Sequence, residues 1–306
     1  MEEKKRLPLS QFLIRIIGMI AMTADHVGVF LMSYQGIDDP LALALRAIGR
    51  LAFPIFIFLL AEGMLHSHDK KKYLLRIGSL LLGMLLVEAF LMYVLQLVEF
   101  QGNPFLDLFL CGLVLYFLSF LEKEGKKKFF ALFALFPIAY LGISYGVVLY
   151  EHINKGFVSV IWFPEFIRAN YNIFGLFLAV GFYYANKVAD LMANKNAELM
   201  GASIEEYKES YYYRKSINIL LTIVLLVVVI LFYGVSYLST DPATGYRPYD
   251  TLNMSYQSYC LLIAPLLYFY NGKRGKDSKN IRLFNYLYFP MHLVLIFGVF
   301  ALIFGL

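Results

Sequence analysis

The sequence predicts an all-α polytopic membrane protein, a single bundle of about nine transmembrane helices with its N-terminus in the cytoplasm and its C-terminus outside. Three observations lead there. Of the 306 residues 60% are hydrophobic and only 16% charged, with a mean hydropathy of +0.64, whereas soluble domains carry about 25% charged and at most about half apolar residues. Apolar runs of about twenty residues, the length that crosses hydrocarbon, recur along the chain. The basic residues gather in every second connection between those runs.

Apolar length places spans at roughly 12–33, 43–66, 73–98, 104–121, 128–150, 171–189, 217–238, 254–271 and 283–305. Lys4, Lys5 and Arg6 precede the first, Lys70, Lys71 and Lys72 follow the second, and Lys123, Lys126, Lys127 and Lys128 follow the fourth. Lys187, Lys195, Lys208, Arg214 and Lys215 separate the sixth from the seventh, and Lys273, Arg274, Lys276, Lys279 and Arg282 the eighth from the ninth. These five segments hold 20 of the 27 basic residues. The opposite connections are basic-poor, with Asp38 and Asp39, Glu99, Glu151 with Lys155 and Arg168, and Asp241 with Arg247 and Asp250. The positive-inside rule converts this alternation into the stated orientation. It also accounts for the net charge of +5 and the pI near 8.9 without a nucleic-acid partner.

The first apolar segment is too long for a signal-peptide core and lacks a small-residue cleavage site, so it is expected to stay as a span. Residues 156–170, with Gly156, Ile161, Trp162, Phe163 and Pro164, are too short to cross and read as an interfacial or re-entrant element on the outside. Residues 190–213 read as a polar cytoplasmic insert ending in Tyr211, Tyr212 and Tyr213, which suit an aromatic belt. The chain is thus expected to form one integral-membrane domain over 1–306. Cys111 and Cys260 lie in apolar runs and read as packed thiols, not as a disulfide framework or zinc site.

A charge in hydrocarbon costs about 2.5–3.5 kcal/mol even on lenient insertion scales, so each one needs a partner, water or a task. The first span carries Asp25 and His26, and the second Arg46, Arg50, Glu62 and, at its inner end, His66. Glu88 lies in the third, Asp107 near the start of the fourth and His292 in the ninth. At 1.5 Å per residue His26 stands about 20 Å from the cytoplasmic start of its helix, in the outer half of the bilayer. Arg46 and Arg50, four apart on an oppositely running helix, share a face at similar depth. Asp25 is their natural counter-ion, with Glu88 a second candidate.

Consecutive helical residues point about 100° apart, so Asp25 and His26 do not pair. Asp25 is expected to hold the arginines, leaving His26 either as a base or nucleophile facing a cavity or as a ring bonded to a carbonyl inside the bundle. Glu62 and His66 at i,i+4, with His68, are too few ligands for a metal site, so no metal is expected. His152, beside Glu151, reads as a solvated loop histidine, and His292, after Pro290, as an internally bonded ring at a kink. No phosphate-binding loop, serine elbow or zinc-protease signature occurs.

Met19, Ile20, Ala21, Met22 and then Asp25, His26, Val27, Gly28 resemble the opening of the TraX family. The block from Arg46 through Ala47, Ile48, Gly49, Arg50, Leu51, Ala52, Phe53, Pro54, Ile55 and Phe56 to Glu62, Gly63, His66, Lys72, Tyr73 and Arg76 is similar to that family's longest signature. Phe289, Pro290, Met291, His292 and Leu293 resemble its closing helix. TraX proteins are associated with N-acetylation of conjugative pilin, within a wider group of transmembrane acyltransferases that modify glycans.

The resemblance implies an acyltransferase-like domain in the cytoplasmic membrane, moving an acetyl group from cytoplasmic acetyl-CoA to an amine or hydroxyl acceptor at the outer face. A pilin N-terminus and a surface glycan are the acceptors it suggests. His26, Arg50 and Asp25 form the candidate catalytic group. Lys70, Lys71, Lys72, Arg76, Lys126, Lys127 and Lys128 are candidates for the donor's phosphates, and Arg46, Glu62, His66, Glu88 and His292 for a supporting polar network. Two other classes remain open: a transporter or flippase of glycan or lipid precursors, which also uses buried ionisable residues, and a non-catalytic assembly factor for a surface appendage.

Overall fold

The computed structural model describes residues 7–36, 38–93, 103–123 and 125–304. Lys4, Lys5, Arg6, Glu99, the end of the expected 73–98 span and the side chains of Glu88 and Lys126 lie outside the described residues. In chain order the helices are α1 (Gln11–Gln35), α2 (Pro40–Gly49), α3 (Ala52–His66), α4 (Lys70–Tyr93), α5 (Pro104–Leu118), α6 (Leu135–Ile153), α7 (Asn172–Leu199), α8 (Ile204–Glu209), α9 (Tyr211–Leu238), α10 (Met254–Gln257), α11 (Ala264–Tyr268) and α12 (Lys279–Phe304). No strand occurs among the described residues, where Leu9 and Tyr270 make an isolated parallel bridge.

Six helical stretches among the described residues are long and apolar enough to cross a membrane: Gln11–Ser33, Pro40–His66, Pro104–Glu122, Lys127–Ile153, Tyr211–Leu238 and Lys279–Ile303. The chain is therefore a multi-pass membrane protein of helical class. The expected span 171–189 falls in α7, which is not one of the six. The segment 254–271 is α10, a 3-10 stretch over Ser258–Ile263 and α11. Cys111 and Cys260 are free and buried, as packed thiols should be.

The contacts divide the chain into two compact units. Unit 1 comprises Met1–Phe56, Ala185–Leu225 and Ser255–Leu306. Here α1 begins on Ser10, whose hydroxyl accepts the Leu13 N–H at 3.4 Å, and ends at Gly36, whose φ of +101° suits glycine. Asp39 caps α2 by accepting the Ala42 N–H at 2.7 Å, and Pro40 occupies the first turn, where its missing N–H costs nothing. α1 and α2 approach through small residues: a Cβ at Gly28 would stand 3.0 Å from the Ala42 carbonyl oxygen, and one at Gly49 would collide with the Asp25 carboxylate.

The expected 43–66 span is interrupted. Pro54 has no N–H to give the Arg50 carbonyl, so the helix stops at Gly49 and restarts at Ala52 with the proline in its first turn. At the break the Arg50 N–H is shared between the Arg46 and Ala47 carbonyls, both at 3.3 Å, and Leu51 N–H reaches Ile48 at 3.1 Å.

The polar stretch 190–213 is folded. α7 continues to Leu199, and Ser203 and Glu206 close a reciprocal capping box on α8. Tyr207, only 3% exposed, packs with Ala193, Ala197 and Tyr213. Asp190 accepts from the Tyr213 hydroxyl at 2.7 Å and pairs with Lys208 at 2.9 Å. Partial burial works against its charge, but the bonds from Lys208 and Tyr213 outweigh it and hold the carboxyl below the usual range.

Unit 2 comprises Ile57–Tyr184 and Leu226–Met254. α4 meets α5 where Gly112 faces Leu74 and Gly78 faces Phe109. Asp107, fully buried in the first turn of α5, accepts backbone N–H groups from Asn170, Tyr171 and Asn172 at 2.7, 3.1 and 2.6 Å, and so fixes the opening of α7. Glu151 and Arg168, expected as loop charges, form a bidentate pair at 2.5 and 3.0 Å with Arg168 buried. His152 is likewise not a solvated loop residue: its Nε2 lies 3.1 Å from the Arg247 carbonyl oxygen, its ring stacks on Tyr246, and its own carbonyl accepts the Tyr246 hydroxyl.

Candidate functional site

One set of polar groups in unit 1 converges on the C-terminal half of α1. Asp25 Oδ2 accepts from Arg46 Nη1 at 2.7 Å and Asp25 Oδ1 from Arg50 Nη2 at 2.6 Å. Arg50 Nε also donates to the Arg46 carbonyl oxygen at 3.2 Å, so the break after α2 orients the guanidinium. The side chains of Arg46, Arg50 and Asp25 are 28%, 14% and 20% exposed, which makes the trio a partly desolvated cluster with charge-assisted bonds and not a surface pair. Gly49 makes it possible, since only a residue without Cβ admits the carboxylate there.

His26 points elsewhere, as the 100° offset requires. Its Nδ1 lies 3.0 Å from Nε2 of His292 on α12, and His292 Nδ1 lies 2.9 Å from the Tyr288 carbonyl oxygen. A carbonyl only accepts, so in the neutral pair His292 carries its proton on Nδ1, its Nε2 accepts, and His26 donates from Nδ1. The remaining lone pair of His26 is then on Nε2.

The second ring is held as firmly as the first. The Tyr288 ring stacks on His292 with centroids 5.2 Å apart and planes 5° from parallel. The Tyr288 hydroxyl contacts the Thr23 hydroxyl, and both reach the Met19 carbonyl oxygen at 3.1 Å. Ala21, Met22 and Ala52, with Leu51, Phe56, Tyr288 and Phe289 packed on them, form the apolar floor. His292 is 5% exposed.

The structure therefore joins Asp25 with both arginines, and His26 with His292, in unit 1. Glu62, buried, and His66, exposed with Nδ1 3.1 Å from the Glu62 carbonyl oxygen, belong to unit 2. So do the basic candidates, of which Lys71, Lys72, Arg76, Lys127 and Lys128 are exposed and Lys70 half-buried. Asp69 caps α4 there, and the Lys72 N–H it accepts at 3.0 Å holds its carboxyl below the usual range. Tyr288 and Thr23 were not anticipated; Tyr288 at i−4 from His292 and Thr23 at i+4 from Met19 are the spacings that carry them.

Among curated proteins, the probable fimbrial assembly protein FimC, serogroup H1, of Dichelobacter nodosus is 33% identical over 78 residues, which is 24% of this chain and 29% of that protein. The match thus spans less than a third of the relative's length. No solved structure matches the chain. The family described as TraX protein matches residues 10–203, which contain α1 to α7 and with them Asp25, His26, Arg46 and Arg50. A match over more than half of its length makes this chain a member of the TraX family.

Proposed function

We propose that this protein is a membrane-embedded acetyltransferase that takes the acetyl group of acetyl-CoA and delivers it to an amine or hydroxyl of an extracytoplasmic acceptor. A pilin subunit or a surface glycan is the acceptor class; the fimbrial assembly relative favours the pilin. The observation that carries the reading is the His26–His292–Tyr288 chain, which gives a membrane-buried imidazole a fixed tautomer. The same bonds would satisfy a structural ring, so the catalytic reading is supported by the lone pair this tautomer leaves on His26 Nε2.

In the proposed step the acceptor's N–H or O–H passes its proton to His26 Nε2 as its nitrogen or oxygen attacks the thioester carbon. The C–S bond breaks, and the proton goes on to the departing sulfur, releasing coenzyme A as the free thiol. His26 Nδ1–H stays bonded to His292 and steadies the imidazolium while it exists. Arg50, fixed by Asp25, the residue before His26, favours the negative charge that builds on the thioester oxygen. The donor's phosphates are assigned to Lys70, Lys71, Lys72, Arg76, Lys126, Lys127 and Lys128, residues whose charge suits them.

We place the chain in the cytoplasmic membrane as one functional domain over residues 1–306. Nine crossings are proposed, with α4, α7 and residues 254–271 added to the six apolar stretches, the N-terminus inside and the C-terminus outside. The alternation of basic connections supports this arrangement. The test is acetyl transfer in purified, lipid-reconstituted protein supplied with acetyl-labelled acetyl-CoA. Label should reach a pilin or glycan acceptor, and coenzyme A should be released in step. Acceptor that stays unlabelled while an unmodified solute crosses the bilayer would put the transporter reading in its place.

A further inference from the structure

The connection between α6 and α7 carries large apolar side chains outward. Phe157 is 89% exposed, Ile161 87% and Trp162 73%. This is not slack chain. Lys155 and Gly156, at φ +54° and +74°, turn it off the end of α6. Glu151 Oε1 then accepts the Val160 N–H at 2.6 Å, and Arg168 Nε donates to the Phe163 carbonyl at 2.7 Å. Phe163 itself is buried, with its ring 5.6 Å from that of Tyr140. The Arg168–Glu151 pair thus staples both ends of the segment, and the three side chains stand exposed on a backbone held in place.

What covers them follows from where the loop is rooted. It springs from Ile153, the last residue of a stretch apolar enough to cross the bilayer, and Tyr150 and Ile153 on that stretch are themselves exposed. The lipid-facing surface of α6 therefore runs directly onto the tip. Residues 157–164 contain no helix, and although Glu151 and Arg168 satisfy some of their backbone groups, the segment lacks the continuous ladder that deep hydrocarbon demands. Indole and phenyl rings favour the boundary between headgroups and acyl chains.

We propose that Phe157, Ile161 and Trp162 form an interfacial anchor, seated about 5–10 Å into the leaflet reached by the C-terminal end of α6. Its occupant is bilayer lipid, and it does not depend on the acetyl-transfer reading. The chain contains a single tryptophan, so Trp162 reports on itself. In vesicles of phosphatidylcholine, its emission should be blue-shifted, strongly quenched by lipid brominated near the headgroup end of the chain, and only weakly by lipid brominated at the chain terminus or by aqueous iodide. Strong iodide quenching with no effect of either bromolipid would overturn the proposal. So would equal quenching by the deep bromines, which means a re-entrant segment, or blue-shifted emission quenched by nothing, which means a protein cover. Replacing Phe157→Glu and Ile161→Glu together should red-shift the emission and abolish the shallow quenching; unchanged quenching would also overturn it. If that variant fails to insert, the native protein decides alone.

Discussion

His26 Nδ1 and His292 Nε2 stand 3.0 Å apart on two helices separated by most of the sequence. Two neutral imidazoles in that arrangement are a directional pair, because one must donate and the other must accept. The direction is set by the Tyr288 carbonyl behind His292.

Replacing His26→Ala should lower acetyl transfer by about 10²–10⁴-fold, the usual worth of a general base, with expression retained and thermal stability in detergent lowered only modestly by the loss of the bond to His292. His292→Ala should cost roughly tenfold or more, because the His26 tautomer is no longer fixed. His292→Gln, whose amide oxygen still accepts the His26 proton, should recover most of that loss. Equal activity of the Ala and Gln variants would remove His292 from the positioning role.

Asp25→Asn should leave two guanidiniums facing a neutral amide in a partly buried site. Removing one partner of a fully buried pair costs about 3–5 kcal/mol; this partly exposed cluster should lose less than that, read as a lower melting temperature of the purified protein. Gly49→Ala should reach the same end by another route, pushing the Asp25 carboxylate from its place at a cost of about 1–3 kcal/mol for overpacking. The two losses share one cause, so the double variant should be less destabilised than their sum.

Asp107→Ala should strip three backbone N–H groups of their acceptor and loosen the start of α7. A buried donor left unsatisfied costs about 1–3 kcal/mol. Hydrogen exchange at Asn170–Asn172 should quicken well before global unfolding.

The hairpin made by the end of α7 and α8 should respond to acid. The Asp190 carboxyl is held below its ordinary range, so its bonds to Lys208 and Tyr213 contribute fully above about pH 3.9, the unfolded value. They are lost as the pH falls further, through the lowered folded value. Limited proteolysis at Met200–Ala202 by an acid-tolerant protease should stay slow down to that point and rise below it. Asp190→Asn should remove the transition.

Much of this could be read in the residues. Apolar length and the cost of intramembrane charge bring out the helical class, the pairing of Asp25 with Arg46 and Arg50, and the separate direction of His26. The partner of His26 could not be read, because nothing local links position 26 to position 292; only the packing of α12 on α1 does. For the same reason Glu151 and Arg168 look like loop charges until the backbone brings them into one buried pair. His152 shows the same limit, since its partners come from the connection bearing Tyr246 and Arg247. The break at Arg50–Leu51 was visible in principle through Pro54, but an unbroken apolar run hides it from any measure based on length.

That break has an electrostatic consequence for the arginines. Ending α2 at Gly49 places Arg46 in its final turn and Arg50 just beyond it, where the aligned peptide dipoles leave about half a unit of negative charge on the terminal carbonyls. An uninterrupted helix would have cancelled that charge along its length. Here it is concentrated next to two cations, so the backbone itself shares with Asp25 the task of offsetting two positive charges inside the bilayer.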